Sequence, residues 1–236
     1  MANILAIDTS TDACSVALSI EGQMAQRHEV VTRGHSDRLM PMLQELLPDG
    51  DLRAAGIDAI AYGVGPGSFT GLRIAASAVQ GLAFANSLPA IPVSTLACLA
   101  QTAFRQGLIS SDCCALSTLD ARINEVYWAA YRFEKGLAQS ITRPAVCHPS
   151  DMQLGSSVGF LNGFGGGLAY LDSFPADLRD RLKSTELDVL PSAVGLIPLA
   201  EDLLNQGRVQ SAAEVAPIYV RDEISWKKLA DQGKSK

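Results

Sequence analysis

One stretch constrains the fold of this chain more than any other: Gly63-Val64-Gly65-Pro66-Gly67-Ser68-Phe69-Thr70-Gly71-Leu72-Arg73. An apolar run, Ile57 to Tyr62, precedes it and has the length of a buried strand; a small-residue segment, Ile74 to Phe84, follows and reads as a helix. A glycine-rich turn between a strand and a helix leaves backbone N–H groups free at the helix N-terminus. Such a turn suits an anion or a closely packed backbone, and spacing alone leaves both readings open. It is no Walker loop, because no Gly-Lys-Ser/Thr follows, and the spacing of Gly63, Gly65, Gly67 and Gly71 is not that of a dinucleotide fingerprint.

The N-terminus carries a second motif. The apolar strand Ile4 to Ile7 ends in Asp8-Thr9-Ser10, and a second strand, Cys14 to Ile20, follows at once. Glu21-Gly22 turns the chain into a third strand, Gln23 to Val31. Asp and Thr are ordinary turn formers, so the bland reading is a hairpin. The other reading is the strand, acidic turn, strand opening of actin-like phosphotransferases, in which hydroxyls and N–H groups hold phosphate.

Composition narrows the classes. No apolar run among the 236 residues approaches the roughly 18–20 that a spanning helix needs. With no basic leader region in view, the cytoplasm is the expected place and no membrane partner is expected. The net charge of −6 and the absence of lysine before Lys135 argue against strong nucleic-acid binding by this chain alone. The basic residues cluster only at the end, Lys227-Lys228 and Lys234 to Lys236, which reads as a solvated tail. The five cysteines include no Cys-x-x-Cys pair, so neither a metal site nor a thiol catalyst is expected.

Along the chain the pattern is α/β and it restarts. Three strands are followed by a helix from His35 to Leu47, the strand at 57–62, a helix from Thr70 to Ala85 closed by Asn86, a short strand at Ala90 to Val93, and a helix from Leu96 to Gln106. The second half opens with a strand at Cys113 to Leu119, a turn at Asp120-Ala121-Arg122 and a strand at Glu125 to Phe133. A further strand, Val158 to Leu161, runs into the glycine-rich turn Asn162 to Gly167, and a helix covers Val194 to Leu204. Two lobes are therefore expected, residues 1–108 and 109–236, with the boundary near Gln106 to Asp112 and the end of the chain packing back on the first lobe. The helix from Thr70 to Ala85 carries a single charge, Arg73, and a helix apolar all round belongs in a core or an interface. An interface with another chain is expected there. Helical spacing selects Leu39, Leu43, Leu46, Ile74, Ala78 and Leu82 as its contact residues.

Taken in order over nearly the whole chain, these motifs resemble the TsaB (YeaZ) family of tRNA threonylcarbamoyladenosine synthesis. The matching residues are Leu5 to Ser10, Gly65 to Arg73, Pro89 to Ser94, Asp120-Ala121-Arg122 with Glu125-Val126-Tyr127, and Pro217 to Arg221 with Trp226-Lys227. The resemblance implies a two-lobed actin-like (ASKHA) fold with duplicated ribonuclease H-like lobes. It also implies a partner, TsaD, which transfers the threonylcarbamoyl group to the adenosine beside the anticodon, and an ATPase, TsaE, in a ternary complex. When alone, such a chain is a homodimer through the same surface, and it meets tRNA only through the complex. The catalytic relative carries a His-x-x-x-His metal site where this chain has Thr95 and Leu99, which cannot replace two imidazoles. His28, His35 and His148 are dispersed. A non-catalytic subunit with no metal and no cofactor is expected. Asp8, Thr9, Ser10, Asp120, Gly165 and Gly166 would form at most a vestigial, weak nucleotide site. The alternative is a small actin-like ATPase or small-molecule kinase; a metallopeptidase has no ligand set here.

Overall fold

The computed structural model describes residues 1–220 of the chain; the basic tail, Trp226 and Lys227 lie outside the described residues. Two mixed sheets form, and they repeat one plan. In the first half, β1 (Ile4–Asp8), β2 (Ala13–Ile20) and β3 (Gln23–Val30) form an antiparallel meander. The chain then passes through α1 (His35–Leu46) to β4 (Ala59–Gly65), through α2 (Phe69–Asn86) to β5 (Ala90–Ser94), and into α3 (Thr95–Arg105). The sheet order is β3-β2-β1-β4-β5, with β4 parallel to both β1 and β5.

The second half repeats this with β6 (Cys114–Arg122), β7 (Glu125–Glu134) and β8 (Leu137–Ser140) as the meander. The strand β9 (Ala145–Cys147) adds to β7. After β10 (Leu161–Phe164) come the short α4 (Ala176–Arg179), β11 (Leu182–Glu186) and α5 (Ala193–Asn205). The order β11-β10-β6-β7-β8 reproduces the first sheet strand for strand, with β10 parallel to both β6 and β11. This duplication is the two-lobed actin-like arrangement. In both sheets the fourth strand ends in a glycine turn.

Some elements differ from the sequence reading, for local reasons. β4 starts at Ala59 and runs through Gly65, so the first glycines of the motif are strand. α2 is capped at its start by Ser68, whose side chain accepts from Gly71 N–H, and at its end by Ser87 in the left-handed region rather than by Asn86. Asp120 is not in a turn: β6 continues through Arg122, and Arg122, Ile123 and Asn124 make the reversal with positive φ. Val158 to Phe160 lie before β10, which takes in Asn162 and Gly163.

The helices cross between the lobes. α3, from the first half, packs on β6, β7, β8 and β10 as well as on β4 and β5 of its own sheet, whereas α5, from the second half, packs chiefly on β1, β2, β4 and β5. α3 and α5 also pack on each other. One continuous core therefore joins Ile4, Ala6, Ala61 and Ile91 of the first sheet to Leu96, Leu99, Leu196 and Ile197 of the two helices and to Ala115, Ala129 and Phe164 of the second sheet. The opposite face of the first sheet is covered by α1 and α2.

After α5 the chain returns to the first lobe. Gln210 bridges to Ala90 by two backbone bonds, Tyr62 Oη donates to Gln210 Oε1 at 2.8 Å, and Ile218 N–H donates to Val64 O at 2.8 Å.

Candidate functional site

The two sequence motifs of the first lobe meet each other. Thr9 Oγ1 donates to Gly71 O at 2.6 Å, and Ser68 N–H donates to Ser10 O at 2.7 Å. A side chain at Gly67 would overlap Ser10 O, and one at Gly71 would overlap Thr9 O. These glycines are needed because two backbones touch there. Two of the N–H groups in the first turn of α2 are used within the protein: Gly71 N–H donates to Ser68 Oγ, and Leu72 N–H donates to Ser68 O.

Asp8 ends β1 and is fully buried. Its Oδ1 accepts from Ser10 N–H at 3.0 Å and Ser10 Oγ–H at 2.7 Å, while Oδ2 lies against Gly63 and has no hydrogen-bond partner among the described residues. Burial pushes its carboxyl up to about 6, with the Ser10 bonds and His35 pulling the other way.

The corresponding turn of the second lobe is closed in the same manner. A side chain at Gly165 would overlap Thr118 O and the Leu99 side chain, and one at Gly167 would overlap Thr118 Cβ; only open space surrounds Gly166. Thr118 Oγ1 donates to Phe164 O at 3.0 Å. Asp120 accepts from Arg122 N–H at 2.8 Å, from Arg122 Nη1 at 3.1 Å and from Tyr170 Oη–H at 3.3 Å. Asp8 thus ends β1 as a buried group, whereas Asp120 lies inside the last part of β6 and is tied into a surface hairpin. The structure brings Asp8, Thr9 and Ser10 together with Gly67 and Gly71, and Gly165 with Thr118, but in each case as packing.

Thr95 and Leu99 are both buried, Leu99 within the shared core. His35 Nε2 is bonded to Thr11 O, His148 Nδ1 to Ser150, and His28 lies on β3. Among the described residues no three His, Cys, Asp or Glu side chains are placed to hold a metal ion.

The apolar helix gives a different outcome. Leu39 and Leu43 are corrected: they are 2% and 6% exposed and fill the core between α1 and the first sheet, so another chain cannot reach them. Leu46, Ile74, Ala78 and Leu82 are half-buried at the edge of that core. The exposed phase of α2 is Arg73, Ser77, Gln80, Gly81, Phe84 and Ala85, with Phe84 80% exposed and Gln80 Nε2 donating to Ala212 O. Phe69, at the other end of α2, and Met40 on α1 are each about half exposed. These were missed because helical spacing was counted from the Leu and Ile positions. Arg73, the helix's one charge, marks the solvent-facing phase, and stepping from it by threes and fours reaches Phe84. Arg73 stacks over the Phe69 ring at 3.9 Å and donates from Nε to Tyr219 Oη at 3.0 Å, so the returning segment is fastened to the same face.

Known proteins share this arrangement. Residues 26–163 match the family described as TsaD: tRNA N6-adenosine threonylcarbamoyltransferase. The chain is 38% identical to the tRNA threonylcarbamoyladenosine biosynthesis protein TsaB of Haemophilus influenzae, with 96% of each chain covered. It is 37% identical to the protein of the same name in Escherichia coli, over 96% of this chain and 97% of that one. Among solved structures, YeaZ from Pseudomonas aeruginosa superposes with a TM-score of 0.84 at 39% identity, over 93% of this chain and 100% of that one. With relatives this similar over nearly all of both sequences, and a solved one of the same duplicated fold, the chain belongs to the TsaB (YeaZ) family of tRNA threonylcarbamoyladenosine biosynthesis proteins.

Proposed function

We propose that this chain is a non-catalytic subunit of the threonylcarbamoyladenosine machinery. It binds a TsaD protein through the outer face of α2 and the adjoining part of α1. In doing so it orders TsaD for transfer of the threonylcarbamoyl group to the adenosine beside the anticodon. The observation that carries this reading is the exposed face of α2, on which Phe84 stands free beside Gly81 with Arg73 as the helix's single charge. A large exposed aromatic on a small-residue helix face is what a protein partner covers. Alone, the chain uses the same face twice in a two-fold homodimer, as an isologous interface requires.

Several observations support the absence of chemistry in this subunit. By the family resemblance, Thr95 and Leu99 take the positions of the catalytic relative's metal-binding histidines, and neither side chain can replace an imidazole. Both glycine turns pack on protein backbone, so nucleotide binding by the lone chain is weak or nil. The core shared by α3 and α5 ties the lobes together, which opposes the hinge closure a small actin-like kinase needs. The tRNA is reached only through the complex, since a chain of net charge −6 is poorly suited to hold tRNA phosphates by itself. TsaE joins as a third protein. No described helix is long and apolar enough to cross a membrane, and the cytoplasm, where tRNA is modified, is the proposed location.

The test is co-purification with TsaD from the same cell and measurement of tRNA threonylcarbamoylation with and without this chain. Activity that needs both supports the reading. Absence of both complex and rescue overturns it and favours the ATPase alternative, which turnover of ATP by the lone chain would then establish.

A further inference from the structure

The fold guards every sheet edge but one. β5 is bridged by Gln210, β8 and β9 have four and three residues, and β11 has five and carries Lys183. β3, at the remaining edge, is eight residues long, pairs with β2 without a bulge and contains no proline. Long, regular edges of this kind recruit another strand unless something covers them. Val31 N–H donates to Asp12 O at 2.7 Å, which sets the phase of the ladder. The odd positions of β3 bond to β2, and the even ones, Met24, Gln26, His28 and Val30, turn their N–H and C=O groups outward. Of these outward groups only Gln26 O has a partner among the described residues, Arg27 Nη1 at 3.0 Å.

A groove runs beside this bare edge. Its two adjoining hollows, of about 300 and 340 Å³, share Gln26, Gln106 and Ser192 as lining. One end is flanked by Met24 and Arg105, the other by Val30, Glu186 and Asp188. Arg105 Nη2 donates to Met24 Sδ at 3.2 Å, and Ser192 Oγ donates to Gln26 Oε1 at 3.2 Å, so the far wall is held against the strand. Arg105, Glu186 and Asp188 are exposed and enter no ion pair among the described residues. A positive charge therefore stands at the Met24 end and two negative charges at the Val30 end, about 20 Å apart at roughly 3.4 Å per residue.

We propose that the free edge of β3 is a docking site for an extended segment of another protein, which adds antiparallel to the strand and lies in the groove. The charges set its chemistry: a lysine or arginine near its start meets Glu186 and Asp188, and an acidic side chain about six residues later meets Arg105. Main-chain bonds to Met24, Gln26, His28 and Val30 supply affinity, and the charges at the two ends supply direction. A second copy of β3 fits less well. Its even positions would face the groove, and none of Met24, Gln26, His28 and Val30 is a carboxylate, a lysine or an arginine. The site lies at the β3 edge of the sheet, whereas α2 packs mainly on β4, so the inference goes beyond the proposed function and does not rest on it.

Two capped peptides test this on the full chain at low salt. One starts with Lys, alternates Thr and Val, and ends with Glu as its seventh residue; the other has Lys and Glu exchanged. The first is expected to bind roughly fivefold tighter than the second, as two exposed charge sites allow, and to slow hydrogen exchange at the amides of Met24, Gln26, His28 and Val30 in residue-resolved NMR. Glu186→Lys combined with Asp188→Lys is expected to erase or reverse that preference with exchange in β1 and β2 unchanged. His28→Pro removes an outward N–H without touching a bond to β2, and should weaken both peptides by roughly tenfold or more. If that variant fails to fold, the charge-reversed one still decides. No binding of either peptide at millimolar concentration, equal affinities for the two, or protection elsewhere than on β3 overturns the proposal. So does a lone chain whose outward β3 amides are already protected. Protection that grows with chain concentration assigns the edge to a second copy, and protection lost on removing residues 221–236 assigns it to the end of the same chain.

Discussion

Asp8 and the glycines around it act on stability in opposite ways. A carboxyl whose folded pKa is raised to about 6 binds its proton more tightly in the fold than in the unfolded chain. The associated stability is fully present below the ordinary carboxylate value near 4 and is lost as pH rises to about 6. Above that, the buried charge costs about 3 kcal/mol, from the 1.4 kcal/mol carried by each pKa unit. Asp8→Asn should therefore gain on the wild type in denaturant melts between pH 4 and pH 6, and hold that gain to pH 8. A constant difference across the range would remove Asp8 as its source. Gly71→Ala is expected to cost about 3 kcal/mol or more, because its methyl meets the fixed Thr9 carbonyl. Gly81→Ala sits in open space on the same helix and should gain up to about 1 kcal/mol in the monomer from helix propensity alone. At this scale the motifs were legible as glycine-dependent, but their purpose was not. A glycine that admits a phosphate and one that admits a carbonyl look the same in sequence, and Thr9 O reaches Gly71 only through the tertiary fold.

Among the elements, α2 shows what helical periodicity gives and withholds. Its existence and length followed from a long apolar run with no proline between Ser68 and Ser87. Its orientation did not follow, since a helix with apolar residues on every side has no strong moment to fix the buried phase. Ala75, Ala76, Val79 and Ala83 turned inward and left Phe84 outside. Phe84→Glu is thus the clean test of the proposed interface. It should leave the melting temperature nearly unchanged, as exposed substitutions do, while weakening homodimer and TsaD complex together by at least tenfold. Leu82→Glu would be less informative, because Leu82 is half-buried against the core and its loss also destabilises the fold. Size-exclusion chromatography of Phe84→Glu at fixed concentration, beside its thermal melt, reads both effects. The hairpin between β6 and β7 was placed too early for a related reason. Asp120 favours turns, yet its side chain here caps the reversal from within the strand, and the positive φ angles fall on Arg122, Ile123 and Asn124.

On the scale of the whole molecule, the duplication was legible as an order of strands and turns, because those patterns are local. The exchange of helices was not, because nothing in the run from Ala193 to Asn205 says which sheet it will cover. That exchange makes the two halves one unit. β1, β4 and β5 are apolar on both faces, as parallel strands covered from both sides are. One face is covered by α1 and α2, encoded beside them; the other needs Leu196, Ile197 and Ala200 of α5. The second sheet depends in turn on Leu96, Leu99 and Ala103 of α3. Residues 1–108 expressed alone would strip the α5 cover from Ile4, Ala6, Ala61, Ile91 and Val93, and leave α3 without the second sheet. The intact chain is therefore expected to unfold in a single calorimetric transition, with the calorimetric and van't Hoff enthalpies equal. The fragment is expected to show no cooperative melt and to bind an apolar dye. A sharp melt in the fragment would mean that α1 and α2 suffice to hold the first sheet. The lobes would then be separable, and the rigid coupling that opposes hinge closure would have to come from somewhere other than α3 and α5.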